Sequence, residues 1–459
     1  MPYLVPIVLA MWVAGTVALF AKCRGRDAAL VSMIAGWAFL PTEVYPPNVF
    51  FYPVGSGGSV HALAVPTPVL MNKATAIGLG CLAGMMIFDW PMVRRLRPGW
   101  VDLPIVAWCV VPVISAFANG LSLPVGLGQT RYLALAWGVP YLAGRVYLGD
   151  SESLRRLGVG LVLAGLLYAP LCLLEFLFKP FLYSLVYGPH PYQVEGAVRA
   201  LGYRPMGFLE HGNQLGLWAA VSAVAAAWLA GSGGMSRVLN VPGRFVAIGL
   251  IGFCLLDQSH GAIVLMAIAL SVFAALKWGR GVWSLPPGAG ATVAAVLTVA
   301  AVAAAVGLSG GSGARGRLKG VAVMTGKVSF TWRLARYENY LSRAAERPAF
   351  GWSRADWSQA PDHGFVNPVN LGLWLHALGM FGAVGLVAST AVFVGPVIEV
   401  ARWLPPRAWL NPPCSPVTLV AVLLLVGLGD SLLNSTVLLP MLAGAGGLNS
   451  WSERRGRGS

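Results

Sequence analysis

Apolar runs recur along the whole chain, separated by short polar, glycine-rich or proline-rich punctuation. Runs of roughly 18 to 22 residues cross a ~30 Å hydrocarbon layer as single helices. Spans are expected at 2–21, 28–40, 73–90, 101–118, 131–148, 157–178, 213–230, 245–256, 261–276, 289–308, 369–400, 417–428 and 432–448. The pattern predicts an all-α polytopic membrane protein, one domain over 1–459, with about twelve or thirteen transmembrane helices. The second span and the last two are short or polar, so one of them could be re-entrant.

The basic residues sort these spans. Lys22/Arg24/Arg26, Arg94/Arg95/Arg97, Arg145/Arg155/Arg156, Arg237/Arg244, Lys277/Arg280, Arg402/Arg407 and Arg454/Arg455/Arg457 fall on alternate connections. By the positive-inside rule these are cytoplasmic. The N-terminal run lacks a basic leader and a small-residue cleavage signature before Lys22, so it is expected to be a first span rather than a removable signal. Long connections at 41–72, 179–212 and 309–368 then face outward. The last carries nine Lys/Arg, and a connection of that length crosses the membrane largely regardless of charge. Something other than orientation retains those cations.

Composition removes whole classes of function. Residues are 57% hydrophobic and only 11% charged, against about 25% charged in soluble domains, which excludes a water-soluble enzyme. The net charge of +15 reports orientation first, and no nucleic-acid partner is expected. Six cysteines without a C-x-x-C pair give neither a disulfide framework nor a zinc site. Asp89, Asp102, Arg131, Glu175, Asp257 and Asp430 all fall near expected helix ends. An empty midplane argues against ion-coupled transport, which keeps charges there. Chemistry is expected instead on the outer face, where His61, His190, His211, His260, His363 and His376 all fall.

Three polar clusters stand on that face. The first runs from Arg199 through Arg204, Glu210, His211 and Asn213 into a span. Arg204 offers a donor fork suited to phosphate oxygens; it could equally snorkel to headgroups, with Glu210 and His211 in solvent. The second, Asp257-Gln258-Ser259-His260-Gly261, is pinched between two spans and reads either as a site or as a tight turn. In the third, Arg333, Arg336, Arg343 and Arg347 share a sector of about 80° at 100° per residue, on an amphipathic helix that includes Tyr340 and stops at Pro348. Such a stripe either pairs with anionic lipid or cradles a diphosphate. Downstream, Asp362-His363 offers a general base, against the plainer reading of a solvated loop histidine.

Taken in order, an outer Arg204 followed by Gly207-Phe208 and Asn213, a Ser259-x-Gly261 turn, a long basic loop with Gly351-Trp352, and Asp362-His363 ahead of a span resemble the bacterial O-antigen ligase and polymerase family. The matching stretch is roughly 199–386. The resemblance implies a GT-C-like membrane glycosyltransferase of the bacterial inner membrane with its site facing the periplasm. It implies transfer of a glycan from an undecaprenyl-pyrophosphate carrier to another glycan or to lipid A-core, with inversion and without metal or cofactor. In this resemblance Arg204 binds the pyrophosphate, helped by His260, Arg333 and Arg336, while His363 acts as base with Asp362 behind it. Glu210, His211, Arg199 and Tyr340 are then expected to touch substrate. The chain departs from the family at two points. His260 stands where an Arg is usual, and Gly364 follows His363 where ligases show Asn, which favours a polymerase over a ligase. The competing class is a transporter or flippase of lipid-linked saccharides, whose outer vestibule could also be arginine-rich.

Overall fold

The computed structural model describes residues 4–42, 71–190, 198–199, 201–278, 340–353, 357 and 372–456. Among them the helices are α1 (Leu4–Lys22), α2 (Gly25–Phe39), α3 (Lys73–Phe88), α4 (Trp90–Arg95), α5 (Leu103–Ala118), α6 (Leu123–Leu133), α7 (Val139–Tyr147), α8 (Ser151–Phe178), α9 (Leu182–Tyr187), α10 (Gly212–Gly231), α11 (Gly243–Leu256), α12 (His260–Trp278), α13 (Leu373–Trp403), α14 (Ser415–Asp430) and α15 (Leu439–Gly456). Sheet among the described residues consists of two hairpins of two-residue strands, β1–β2 (Val198–Arg199 with Gly202–Tyr203) and β3–β4 (Arg237–Val238 with Val241–Pro242). Among the described residues six helices are long and apolar enough to cross a membrane: α1, α5 with its preceding turn, α8, α10, α12 and α13. The described portion is therefore an all-α membrane bundle. The expected span at 289–308 lies outside the described residues.

The two-ended arrangement follows from side-chain contacts. At one end the basic connections meet one another: Asp27 pairs with Arg156 at 3.3 Å, and Arg145 bridges Asp102 at 2.8 Å and Glu453 at 3.1 Å. At the other end Tyr183 accepts the Thr42 backbone N–H, Asn213 reaches Asn434, and Leu373 donates to the Ser431 carbonyl. The connections around Asp27, Asp102 and 145–156 and the C-terminal Glu453 thus share one end of the bundle.

The centre of the bundle is α10, a run rich in Ala and Gly whose side chains are buried on nearly every face. Helices with apolar residues all round belong inside, and small residues let neighbours approach closely; α8, α11, α12 and α14 surround it. The last helix, α15, is polar for a span, yet every residue from Leu439 to Ser452 is buried. Protein rather than lipid surrounds it, chiefly α7, whose Gly144 lies against the Ala443 backbone.

Two expected elements change shape. The span expected at 131–148 begins instead at Leu123, led in by Pro124, and runs through a π turn (Ala134–Gly138) to Tyr147. Arg131 therefore lies inside a helix and not at its end, because the glycines and Gln129 before it are helical despite their weak helix signal. The span expected at 369–400 is two helices merged across Gly382, whose φ of 66° and ψ of −162° leave the helical region. Backbone groups freed by that break are met by the 348–353 segment: Trp352 and Ser353 donate to the carbonyls of Gly379 and Met380, and Ala383 donates to Pro348.

Candidate functional site

The site is built on the first turn of α10, at the end of the bundle opposite the basic clusters. Its approach loop is held by α8. Glu175, buried, accepts the backbone N–H groups of Phe181, Leu182, Met206 and Gly207 at 2.7–3.0 Å. The Tyr168 hydroxyl accepts the Phe208 N–H at 2.9 Å and donates to the Ala38 carbonyl at 2.6 Å. His211 then caps α10, its Nδ1 accepting the Gln214 N–H at 3.2 Å.

Successive residues of α10 carry one cation each. On one side Arg204 donates through Nη2 to Asn213 Oδ1 at 2.8 Å and lies 3.6 Å from Asp257 Oδ2. Asn213 passes the order on, donating to Asn434 Oδ1 at 3.1 Å, and Asn434 donates to Asp430 Oδ1 at 2.8 Å. On the other side Lys73 Nζ donates to Gln214 Oε1 at 3.3 Å, over the Trp37 ring at 4.4 Å, and Gln214 Oε1 also accepts the Glu210 N–H. Consecutive helical positions diverge by about 100°, so the first turn separates an arginine side from a lysine side.

Close approach explains the glycines. A Cβ on Gly212 would lie 2.1 Å from Arg204 Nε, and one on Gly216 would lie 2.7 Å from Asp257 Oδ2 and 2.4 Å from Ser259 Cβ. Only bare backbone lets the arginine cross the helix start and the Asp257 turn pack beside it.

The electrostatics favour an anion on the arginine side. Asp257 is wholly buried, and burial pushes its carboxyl up to about 7 against the pull of Arg204. Arg199, on β1, is held below its ordinary value by partial burial and by repulsion from Arg204, with Asp257 opposing. Two guanidiniums therefore act on one reluctant carboxylate, and Arg204 meets both Asn213 and Asp257 through the same nitrogen, Nη2. Glu210 is buried and also pushed up to about 7, against the attraction of Lys73. The helix start adds partial positive charge.

The structure thus joins the first two sequence clusters. Leu201 N–H reaches Gln258 Oε1 at 3.4 Å, which sets the β1–β2 hairpin on the Asp257 turn, and His260 opens α12 from that turn with an exposed side chain. Glu210 is not in solvent, because it faces Lys73. His211 serves as a helix cap. Of the arginine stripe, Arg343 and Arg347 are engaged structurally: they lie 4.5 and 4.3 Å from the Trp352 ring, Arg343 donates to the Trp357 carbonyl, and Arg347 donates to Asn119. Tyr340 packs edge-on to Trp357 at 6.0 Å. Arg333, Arg336, Asp362 and His363 lie outside the described residues.

Sequence reasoning missed Lys73, Glu175, Gln214 and Asn434. A lysine opening an apolar run reads as a snorkelling residue, and a glutamate one turn from a helix end reads as an exposed cap; only the returning loop shows otherwise. No family model matches the sequence, and no curated protein matches it.

Proposed function

We propose that the protein is a membrane glycosyltransferase that moves a glycan from a polyprenyl-pyrophosphate carrier to a sugar hydroxyl at the end of the bundle opposite its basic clusters. With the basic end cytoplasmic, the site faces the outer compartment, the periplasm of a bacterial inner membrane. The observation that carries this reading is the meeting of Arg204 and the buried Asp257 on the first turn of α10, within the electrostatic reach of Arg199 on the neighbouring hairpin. That arrangement suits a doubly charged diphosphate, which receives bidentate donors from arginine and the helix start.

In the proposed reaction His363 removes the acceptor proton as that oxygen bonds to the anomeric carbon, and the carbon's bond to the diphosphate oxygen breaks with inversion. Asp362 orients the imidazole. The diphosphate leaves with the electron pair, and Arg204, with Arg333 and Arg336, stabilises charge growing on that oxygen. Polymerisation onto a second carrier-linked chain is favoured over delivery to lipid A-core, because Gly364 follows His363.

The test is incubation of purified protein with a polyprenyl-pyrophosphate oligosaccharide, with and without a lipid A-core acceptor. A ladder without added acceptor supports polymerase, and a product seen only with lipid A-core supports ligase. Movement of the intact lipid-linked glycan across liposomes with no new glycosidic bond replaces the reading with a flippase.

A further inference from the structure

We propose that Glu175 is the positioning residue that fixes Arg204 against its anion, an inference that rests on the diphosphate reading of Arg204. Glu175 is 1% exposed and lies on α8. Its Oε1 accepts the N–H groups of Phe181 and Leu182 at 3.0 and 2.9 Å, and its Oε2 accepts those of Met206 and Gly207 at 2.9 and 2.7 Å. One carboxylate therefore gathers four backbone donors from two loop segments, the second beginning two residues after Arg204.

The chemistry of the acceptor matters. An ionised carboxylate has about four lone-pair sites and no hydrogen to donate, so four converging N–H groups match it. An amide of the same shape would turn its NH2 toward two of those donors and leave them unsatisfied, which is costly in a buried place. Among the described residues no cation pairs with Glu175, and the carboxylate spends its acceptor sites on backbone N–H groups that order the loop.

The second clasp shows what is being ordered. Tyr168 lies seven residues earlier on α8, on the same face within about 20°, and takes the Phe208 N–H at 2.9 Å. Residues 206–208 thus have each N–H fixed by α8, a rigid helix, immediately beyond Pro205 and Arg204. Arg204 inherits its position from α8 on one side and from Asn213 and Asp257 on the other. Misplacement by about 1 Å can reduce turnover by on the order of 100-fold at a preorganised site.

The test uses the full chain in detergent and a short-chain isoprenyl diphosphoryl sugar, with Glu175→Gln, Glu175→Asp and Arg204→Ala beside the parent. Arg204→Ala is expected to abolish binding. Glu175→Gln is expected to raise the Kd and the donor KM by roughly tenfold or more, leave the acceptor KM unchanged, and speed hydrogen exchange at Met206 and Gly207 but not in α15. Glu175→Asp keeps the charge on a shorter arm and is expected to fall between; it decides the matter should Glu175→Gln not fold. If Arg204→Ala abolishes binding while the Glu175 variants keep the parent's Kd and donor KM, this proposal is overturned and the diphosphate reading stands. If Arg204→Ala binds as the parent does, the diphosphate reading fails and this proposal with it.

Discussion

The proposed anion at Arg204 is expected to bind with a pH dependence set by Asp257. The buried carboxyl titrates at about 7, raised by burial and held back by Arg204. One unit below that value it is neutral by about ten to one, and one unit above it is ionised by the same ratio. The ionised form lies 3.6 Å from the guanidinium and competes with any anion held there. At ~7 Å and an effective dielectric of ~20, that repulsion is about 2.4 kcal/mol per unit charge, an upper bound of roughly 50-fold. Screening on the open side reduces this to on the order of tenfold. The assay is binding of a diphosphoryl sugar, a diester whose charge stays fixed over this range, at about pH 6 and pH 8. Affinity is expected to fall as pH rises, and Asp257→Asn is expected to bind at pH 8 as tightly as the parent does at pH 6. Glu210 also titrates at about 7, on the Lys73 side, so a residual slope in Asp257→Asn is expected to vanish with Glu210→Gln. The same shift bears on stability. Because folding raises the Asp257 value above 3.8, its ionisation weighs on the fold as pH climbs toward 7, and Asp257→Asn is expected to gain thermal stability at pH 8 but not at pH 4. A parent whose affinity is flat between pH 6 and pH 8, or an Asn variant with the parent's slope, would refute this reasoning.

Two further predictions concern the scaffold. Gly382→Ala places a Cβ 2.2 Å from the Ala349 carbonyl group, at a φ of 66°, so the 348–353 segment must shift; about 2–4 kcal/mol of stability is expected to be lost, seen as a fall of several degrees in thermal unfolding, and an unchanged Tm contradicts the docking. Arg145→Met strands Asp102 and Glu453 at the basic end, where the arginine side chain is 1% exposed, and is expected to cost about 3 kcal/mol. Arg145→Lys should recover little of it, since an ammonium cannot bridge both carboxylates in one plane.

Helix existence was legible because a membrane helix declares itself locally, through an apolar run bounded by polar residues. Positions expected at 73–90, 157–178 and 213–230 correspond to α3, α8 and α10, with ends displaced by up to six residues. Ends were less legible where tertiary contact replaces sequence signal. Ser151–Arg156 continues α8 into the basic end because Asp150 caps it and Glu152 pairs with Arg155 and Arg156. The 348–353 segment, which begins at the proline where the expected arginine helix stops, fills a helix break that no local pattern announces. Arg204 and the Asp257 turn were legible as polar intrusions between spans; that they share one helix start was not, since Gly212 and Gly216 look the same whether they admit a neighbour or merely flank a span. The lysine side stayed hidden for the same reason, as Lys73, Gln214 and Glu210 meet only once the start of α3 reaches the start of α10.

The proposed transfer requires Arg204 to hold a diphosphate whose departure completes it. The most direct measurement is the initial rate of glycosidic-bond formation by Arg204→Ala, at saturating acceptor, with a polyprenyl-diphosphate oligosaccharide as donor. A fall of on the order of 100-fold or more is expected, the loss of one preorganised charge-stabilising group. A rate within twofold of the parent contradicts it.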